Sequence, residues 1–319
     1  MADSPTVDTL PEKVTLPEIF PGPQAVSLSI SLGLPRLREV CKWLVCYGYA
    51  TEGEISGPSS LVNAAVKAGR FLGLSVDWTA ANETIGAMKI LQSFIDLMAI
   101  PRCGHPDMYP GEPHLAVANG WRNMGVDTVL VRVVSPLPAL GQAKQEELTA
   151  KAINAWQAVC GVRCGMTGSK DKTAHISISL CDRTSGSDGR GAMLAFTYLP
   201  TDWQKSNLPM PLLFDIAEAF GPTANGQTIG YSEVVTHELG HALIGLSHAP
   251  QSTPALMAPY YKPGLSLPQS NDIERALKVW PLPAVPTLPP VVPPVVTVPN
   301  NGEIASVVIN YKNGTVVKL

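Results

Sequence analysis

His237-Glu238-Leu239-Gly240-His241-Ala242-Leu243-Ile244-Gly245-Leu246-Ser247-His248 is the stretch on which the reading of this chain turns. Residues four apart share one face of a helix, so the imidazoles of His237 and His241 can meet a single metal ion, with Glu238 directed at water held beside it. Gly245 can leave the helical conformation without a Cβ penalty and bring His248 round as a third nitrogen. Three protein ligands leave a fourth position open, the pattern of a catalytic zinc and not of a closed structural one. An isolated His-Glu-x-x-His is also found by chance on ordinary helices. Here three of the six histidines of the chain fall in one window at ligand spacing, and a Met-containing segment, Pro254-Ala255-Leu256-Met257-Ala258-Pro259, follows.

Working outward, 319 residues with 45% hydrophobic content hold two modest domains with real cores. A net charge of −3 and no basic run argue against nucleic acid as the partner. No apolar run reaches the length that spans a bilayer. The polar, Pro-rich residues 1–24 read as a disordered tail and lack the basic and apolar regions of a secretory leader. A protein of this kind working outside the cell would then leave by another route, or its leader is missing. The cysteines read mostly as buried free thiols, with one disulfide among Cys160, Cys164 and Cys181 as the alternative.

Three helical stripes succeed the tail: Leu37, Val40, Cys41 and Leu44; Leu61, Ala65, Ala68 and Leu72; Ile85, Met88, Leu91, Ile95 and Met98. Ser59 or Ser60 and Asn82 are candidate N-caps. Thr128–Val134 alternates as a strand, Glu146–Val159 has helical spacing, and Ala174–Leu180 and Met193–Tyr198 alternate again. Such alternation points to an α/β sheet. A loop-rich stretch leads to the metal-binding helix near Ile229, and Asn271–Trp280 forms a last helix. Pro and Val dominate residues 282–301, an extended linker. Residues 302–319 read as a β-hairpin turning at Lys312-Asn313-Gly314-Thr315, of the type I′ class.

Pro101-Arg102-Cys103-Gly104-His105-Pro106-Asp107 ends the helical region. Beside an open zinc site, Cys103 is a candidate fourth ligand whose thiolate would keep the site silent. Arg102 and Asp107 can pair and shape the loop, and His105 reads as a surface residue. With this motif the chain resembles the matrixins, the matrix metalloproteinase branch of the metzincins, in their latent form. Their switch motif PRCG[VN]PD differs only at His105. Leu256-Met257-Ala258-Pro259-Tyr260-Tyr261 is similar to their Met-turn, Trp43–Tyr49 to their YLxxYGY and Phe71-Leu72-Gly73-Leu74 to their FFGL. Asp188-Gly189-Arg190-Gly191 with Leu194-Ala195 is similar to the loop and edge strand above their cleft. Astacins and serralysins fit less well, because Pro259 stands where they place Tyr.

The resemblance implies an α/β (α+β) metzincin catalytic domain with a twisted mixed sheet and an active-site helix over 121–281, preceded by a three-helix propeptide bundle. It assigns residues 25–107 to the propeptide with its cysteine switch and 108–120 to the activation segment. The expected function is a secreted-type zinc endopeptidase zymogen that hydrolyses extended peptides through zinc-held water with Glu238 as general base, Met257 forming the floor. Leu194 and Ala195 would bind substrate as an edge strand, with Glu233, Pro259 and Tyr261 around a side-chain pocket. An acid at Glu233 would favour a long polar or basic side chain, unless it faces solvent or pairs locally. The family's structural zinc is not expected, since Phe196 and Leu213 stand at its positions and the His-Gly-Asp element is missing between Ser179 and Ser187. Asp188, Asp215 and Glu218 match calcium ligands, or are solvated acids. A second reading makes the zinc module secondary in a protein attached to a cell wall or virion through the helical region or the C-terminal hairpin.

Overall fold

Leu37, Val40, Cys41 and Leu44 recur at helical spacing, and all four are buried on α1 (Leu34–Cys46). Helix α2 (Pro58–Phe71) starts with proline at its first position, where the missing N–H costs nothing. Its N-cap is Gly57 and not a serine. Ser60 lies one turn inside, its hydroxyl oxygen accepting from Gly57 N at 3.0 Å and Ser56 N at 2.9 Å. Helix α3 (Thr84–Met98) buries Ala87, Ile90, Leu91, Phe94 and Leu97. That face is rotated from the expected stripe, leaving Met88, Ile95 and Met98 half-buried on the flanks. Apolar residues surround α3, so periodicity alone does not choose the face; Phe94 chooses it by packing edge-on against Trp43, centroids 5.8 Å apart. The three helices share one core.

The computed structural model describes residues 34–51, 53–74, 84–98, 100–107, 119–181, 193–283, 308–310 and 316–318 of the chain. Outside them lie the 1–24 tail, Asn82, most of the 108–120 segment, Asp188 with its glycine-rich loop, most of the Pro-rich linker and the Lys312–Thr315 turn.

A second core is built on a mixed sheet of six strands: β1 (Arg102–Cys103), β2 (Val129–Val133), β3 (Cys164–Met166), β4 (Ile176–Cys181), β5 (Met193–Thr197) and β6 (Met210–Asp215). Their order is β1-β5-β6-β4-β2-β3, with only β5 and β6 antiparallel. The sequence predicts loop where β6 lies. The strand sits inside the sheet, with Pro211 opposite Ser177 of β4 and outside the residues that pair with β5. Phe196 and Leu213 pair directly across β5 and β6. None of the six cysteines forms a disulfide.

After the short helix α4 (Gly120–Asn123), α5 (Gly141–Gln157) packs against α6 (Tyr231–Leu239), the helix that carries His237 and Glu238 and follows the minor pair β7 (Phe220–Gly221) and β8 (Ile229–Gly230). Helix α7 (Ser270–Val279) closes this unit. No helix among the described residues is long and apolar enough to cross a membrane. Residues 283–319 form a separate unit whose described part is the antiparallel pair β9 (Val308–Asn310) and β10 (Val316–Lys318). Asn310 pairs with Val316, and the residues between them, with the expected turn at Lys312–Thr315, lie outside the described residues.

Candidate active site

Helix α6 does not run on regularly into Gly245. Over Gly240–Ile244 it widens into a π turn, and Gly245 then takes φ 88°, the left-handed conformation that glycine adopts without strain. The last carbonyls of a helix lack internal donors and need partners. Buried tryptophans supply them along this element: Trp156 Nε1 donates to Thr236 O at 2.9 Å, Trp121 Nε1 to Ala242 O at 2.9 Å and Trp280 Nε1 to Ile244 O at 3.3 Å. From a different side, Asp272 on α7 holds the Met-turn, accepting from Leu256 N at 2.6 Å and Met257 N at 3.2 Å. Of these supports only Asp272, an acid in the first turn of the last helix, has a signal in the sequence.

On this frame His237, His241 and His248 bring their Nε2 atoms together, His237 lying 3.2 Å from His241 and 3.3 Å from His248. Cys103 Sγ approaches to 3.6 Å from His241 Nε2, and all four donors are buried within 4.8 Å of one another. A tetrahedral zinc with bonds of about 2.0–2.1 Å to nitrogen and about 2.3 Å to sulfur needs N–N edges of roughly 3.3–3.4 Å and S–N edges of roughly 3.6 Å. These distances fit. Nδ1 of His237 faces Leu256 O at 2.7 Å and Nδ1 of His241 faces Leu246 O at 2.6 Å, which places those protons outward and leaves the converging Nε2 atoms as lone-pair donors. Burial, reinforced by the neighbouring histidines at His241 and His248 and by Arg102 at His237 and His248, holds all three imidazoles in the neutral form, with His237 down at about 4. Burial and the adjacent Glu238 push the Cys103 thiol well up, so its sulfur ionises only against a cation. His105 N donates to that sulfur at 3.3 Å.

Glu238 is fully buried beside Cys103 and outside the ligand set. Burial raises its carboxyl to about 8, and the Cys103 thiol pulls it partly back. Met257 packs under Gly240, where an added Cβ would overlap Met257 Sδ and crowd Trp156 Cζ2 at 3.0 Å. Gly240→Ala is therefore expected to destabilise the fold by about 1–3 kcal/mol through overpacking. Thermal unfolding measures it, and an unchanged midpoint would argue against a close-packed floor.

The Cys103 segment lies between two walls. Strand β1 runs parallel to β5, with Cys103 opposite Ala195 and Gly104 N donating to Ala195 O at 2.8 Å. On the other side Cys103 N donates to Pro259 O at 3.0 Å and Tyr261 N to Pro101 O at 3.1 Å. His105 is not on the surface: it has no exposure, stacks on His241 with centroids 4.2 Å apart, and its Nδ1 lies 3.0 Å from Thr197 O. Arg102 and Asp107 pair at 2.6 Å with both side chains buried. The guanidinium stands 3.5 Å over the Tyr47 ring, 5.0 Å over Trp43 and 5.1 Å over Tyr260, three rings of the helical core. Asp107 Oδ1 is also 2.7 Å from His248 Nδ1, a close approach that makes no hydrogen bond. Arg102→Ala would leave Asp107 buried without its cation, a loss of about 3–5 kcal/mol. Urea unfolding of the full chain tests this, and a loss within the range of a surface ion pair would refute it.

Beside the ligands lies a partly open pocket of about 30 Å³, lined by Leu194, Glu233, Pro259 and Tyr261 among others. Asp215 is fully buried, one carboxylate oxygen accepting from Ala217 N at 2.9 Å and the other without a partner, while Glu218 is nearly buried; Asp188 lies outside the described residues.

A family model described as Matrixin matches residues 121–280. Stromelysin-1 of Mus musculus is 29% identical over 196 residues, covering 59% of this chain and 36% of that protein. Matrix metalloproteinase-20 of Homo sapiens is 27% identical over 213 residues, covering 65% and 38% respectively. The chain thus spans under two-fifths of the length of these curated relatives. The family's metals are a catalytic zinc and calcium, and the His237–His241, His237–His248 and Cys103–His241 separations have the lengths the first requires. Half of its length matches the family model, and that half contains the three-histidine cluster and its Met-turn; the chain belongs to the matrixin family of zinc metalloendopeptidases.

Proposed function

We propose that the protein is a latent zinc endopeptidase that works outside the cell on extended polypeptides, with Cys103 as its internal block. The observation that carries this reading is the convergence of Cys103 Sγ with three histidine Nε2 atoms beside the buried Glu238. When bound there, zinc supplies a Lewis acid that polarises a peptide carbonyl and acidifies water. Glu238 is the general base that takes a proton from water and returns it to the leaving amine. The carbonyls of Ala195 and Thr197, which face Gly104 and His105, become the acceptors for a substrate strand.

In this reading residues 25–107 are the propeptide and 108–120 the segment cut on activation. Arg102, Asp107 and His105 hold Cys103 in place. Calcium is assigned to Asp188, Asp215 and Glu218, the unpartnered oxygen of Asp215 supporting an oxygen-seeking cation. A primarily structural role is not favoured, because the three histidines and Glu238 are all in place. The test is intact mass after an organomercurial, with and without a chelator. The full chain should convert to a form lacking roughly the first hundred residues, and the chelator should prevent it. A mass that stays at the mercury adduct of the full chain would overturn the proposal.

A further inference from the structure

The pocket beside the ligands holds a carboxylate that the folded chain leaves partly unused. Glu233 is the third residue of α6, is 5% exposed and lines the pocket. Its Oε1 accepts from Gly264 N at 3.2 Å, but its Oε2 is buried without any donor. A glutamate at this helix position commonly closes back on the N-cap N–H. Here Gly230 N already donates to the Tyr261 hydroxyl at 2.8 Å, so the cap does not need Glu233. The place is nevertheless shaped for the carboxylate, since a Cβ on Gly230 would overlap Glu233 Oε2. The first-turn amides of α6 favour negative charge there. Lys262, half-exposed on the same pocket, makes no ion pair with Glu233 among the described residues.

The pocket is also bounded by His237 and Glu238. A base that returns its proton to the leaving amine must lie beside the residue carrying that amine. The side chain entering this pocket is therefore the one immediately after the scissile bond. A buried carboxylate oxygen without a donor burdens the fold unless a ligand supplies one. A long aliphatic stem ending in a cation matches both the apolar wall of Leu194, Val234 and Leu265 and the acid among them.

We propose that Glu233 is a specificity-determining residue and that the enzyme prefers Lys or Arg directly after the cleaved bond. This rests on the endopeptidase reading above. The full chain, activated with an organomercurial, is assayed on peptides identical except for that residue: Lys, Arg, norleucine, Leu or Glu, with the cut located by mass. The ratio of kcat/KM for Lys over norleucine should be on the order of ten- to a hundredfold, with Glu the poorest substrate. Glu233→Gln should bring the ratio close to one, and Glu233→Asp should restore part of it. A wild-type preference for Leu or norleucine overturns the inference without any variant, as does a Lys preference that survives Glu233→Gln. No chelator-sensitive cleavage of any of the five peptides would instead sink the endopeptidase reading, a pattern distinct from an active enzyme with aliphatic taste.

Discussion

Glu238→Gln is expected to leave zinc content unchanged while peptide cleavage falls by about two to four orders of magnitude. Glu238 contributes no donor atom to the four-ligand cluster, so an amide of nearly the same shape disturbs neither the histidines nor the packing around them. What disappears is the capacity to accept a proton and hand it on. With Cys103 beside it, burial holds the carboxyl at about 8 and favours its neutral form, which makes substitution by an uncharged amide mild for the fold. Metal analysis and kcat/KM on the same activated preparation separate the two effects. Activity near wild type would remove Glu238 from the chemistry, and loss of zinc would mean that it supports the ligands instead.

Cys103→Ser is expected to trim itself between Met108 and Gly120 without an activator. A serine hydroxyl stays protonated near neutral pH and is a far poorer zinc ligand than a thiolate. The other restraints survive: the Arg102–Asp107 pair, the stacking of His105 on His241 and the main-chain bonds to Ala195 and Pro259. The variant thus isolates the contribution of sulfur from that of the lock around it. The double variant Cys103→Ser with Glu238→Gln should stay full length, which would assign the cut to the protein itself. A single variant that remains intact and inactive would contradict a role for sulfur in latency, leaving the surrounding contacts as the block.

The features legible in the sequence are those fixed by local spacing. Four-residue separation put His237 and His241 on one face, Gly245 announced the turn towards His248, and the arginine and aspartate five apart in the switch motif form their pair. The features missed depend on partners far along the chain. His105 looked like a surface residue because its neighbours, Thr197 and His241, lie 92 and 136 residues away. Strand β6 is hidden by Pro209, which precedes it, and Pro211, which pairs with β4 alone, while the residues from Leu212 to Phe214 pair on both sides with β4 and β5. The π turn had no sequence signal either. It is held from outside by indoles of Trp121 and Trp280, and no window around Gly240 contains them.

The two-residue strand Arg102–Cys103 has a consequence for the molecule in solution. It caps one margin of the sheet, and withdrawing it would bare the main-chain groups of β5 and uncover the ring of Tyr260, now packed in the helical core. A bare strand of this kind is a template for pairing with any extended chain, including another copy of itself. The N-terminal segment would therefore act as a built-in guard against self-association, and the activated molecule should keep better at low concentration, or with a peptide seated along β5.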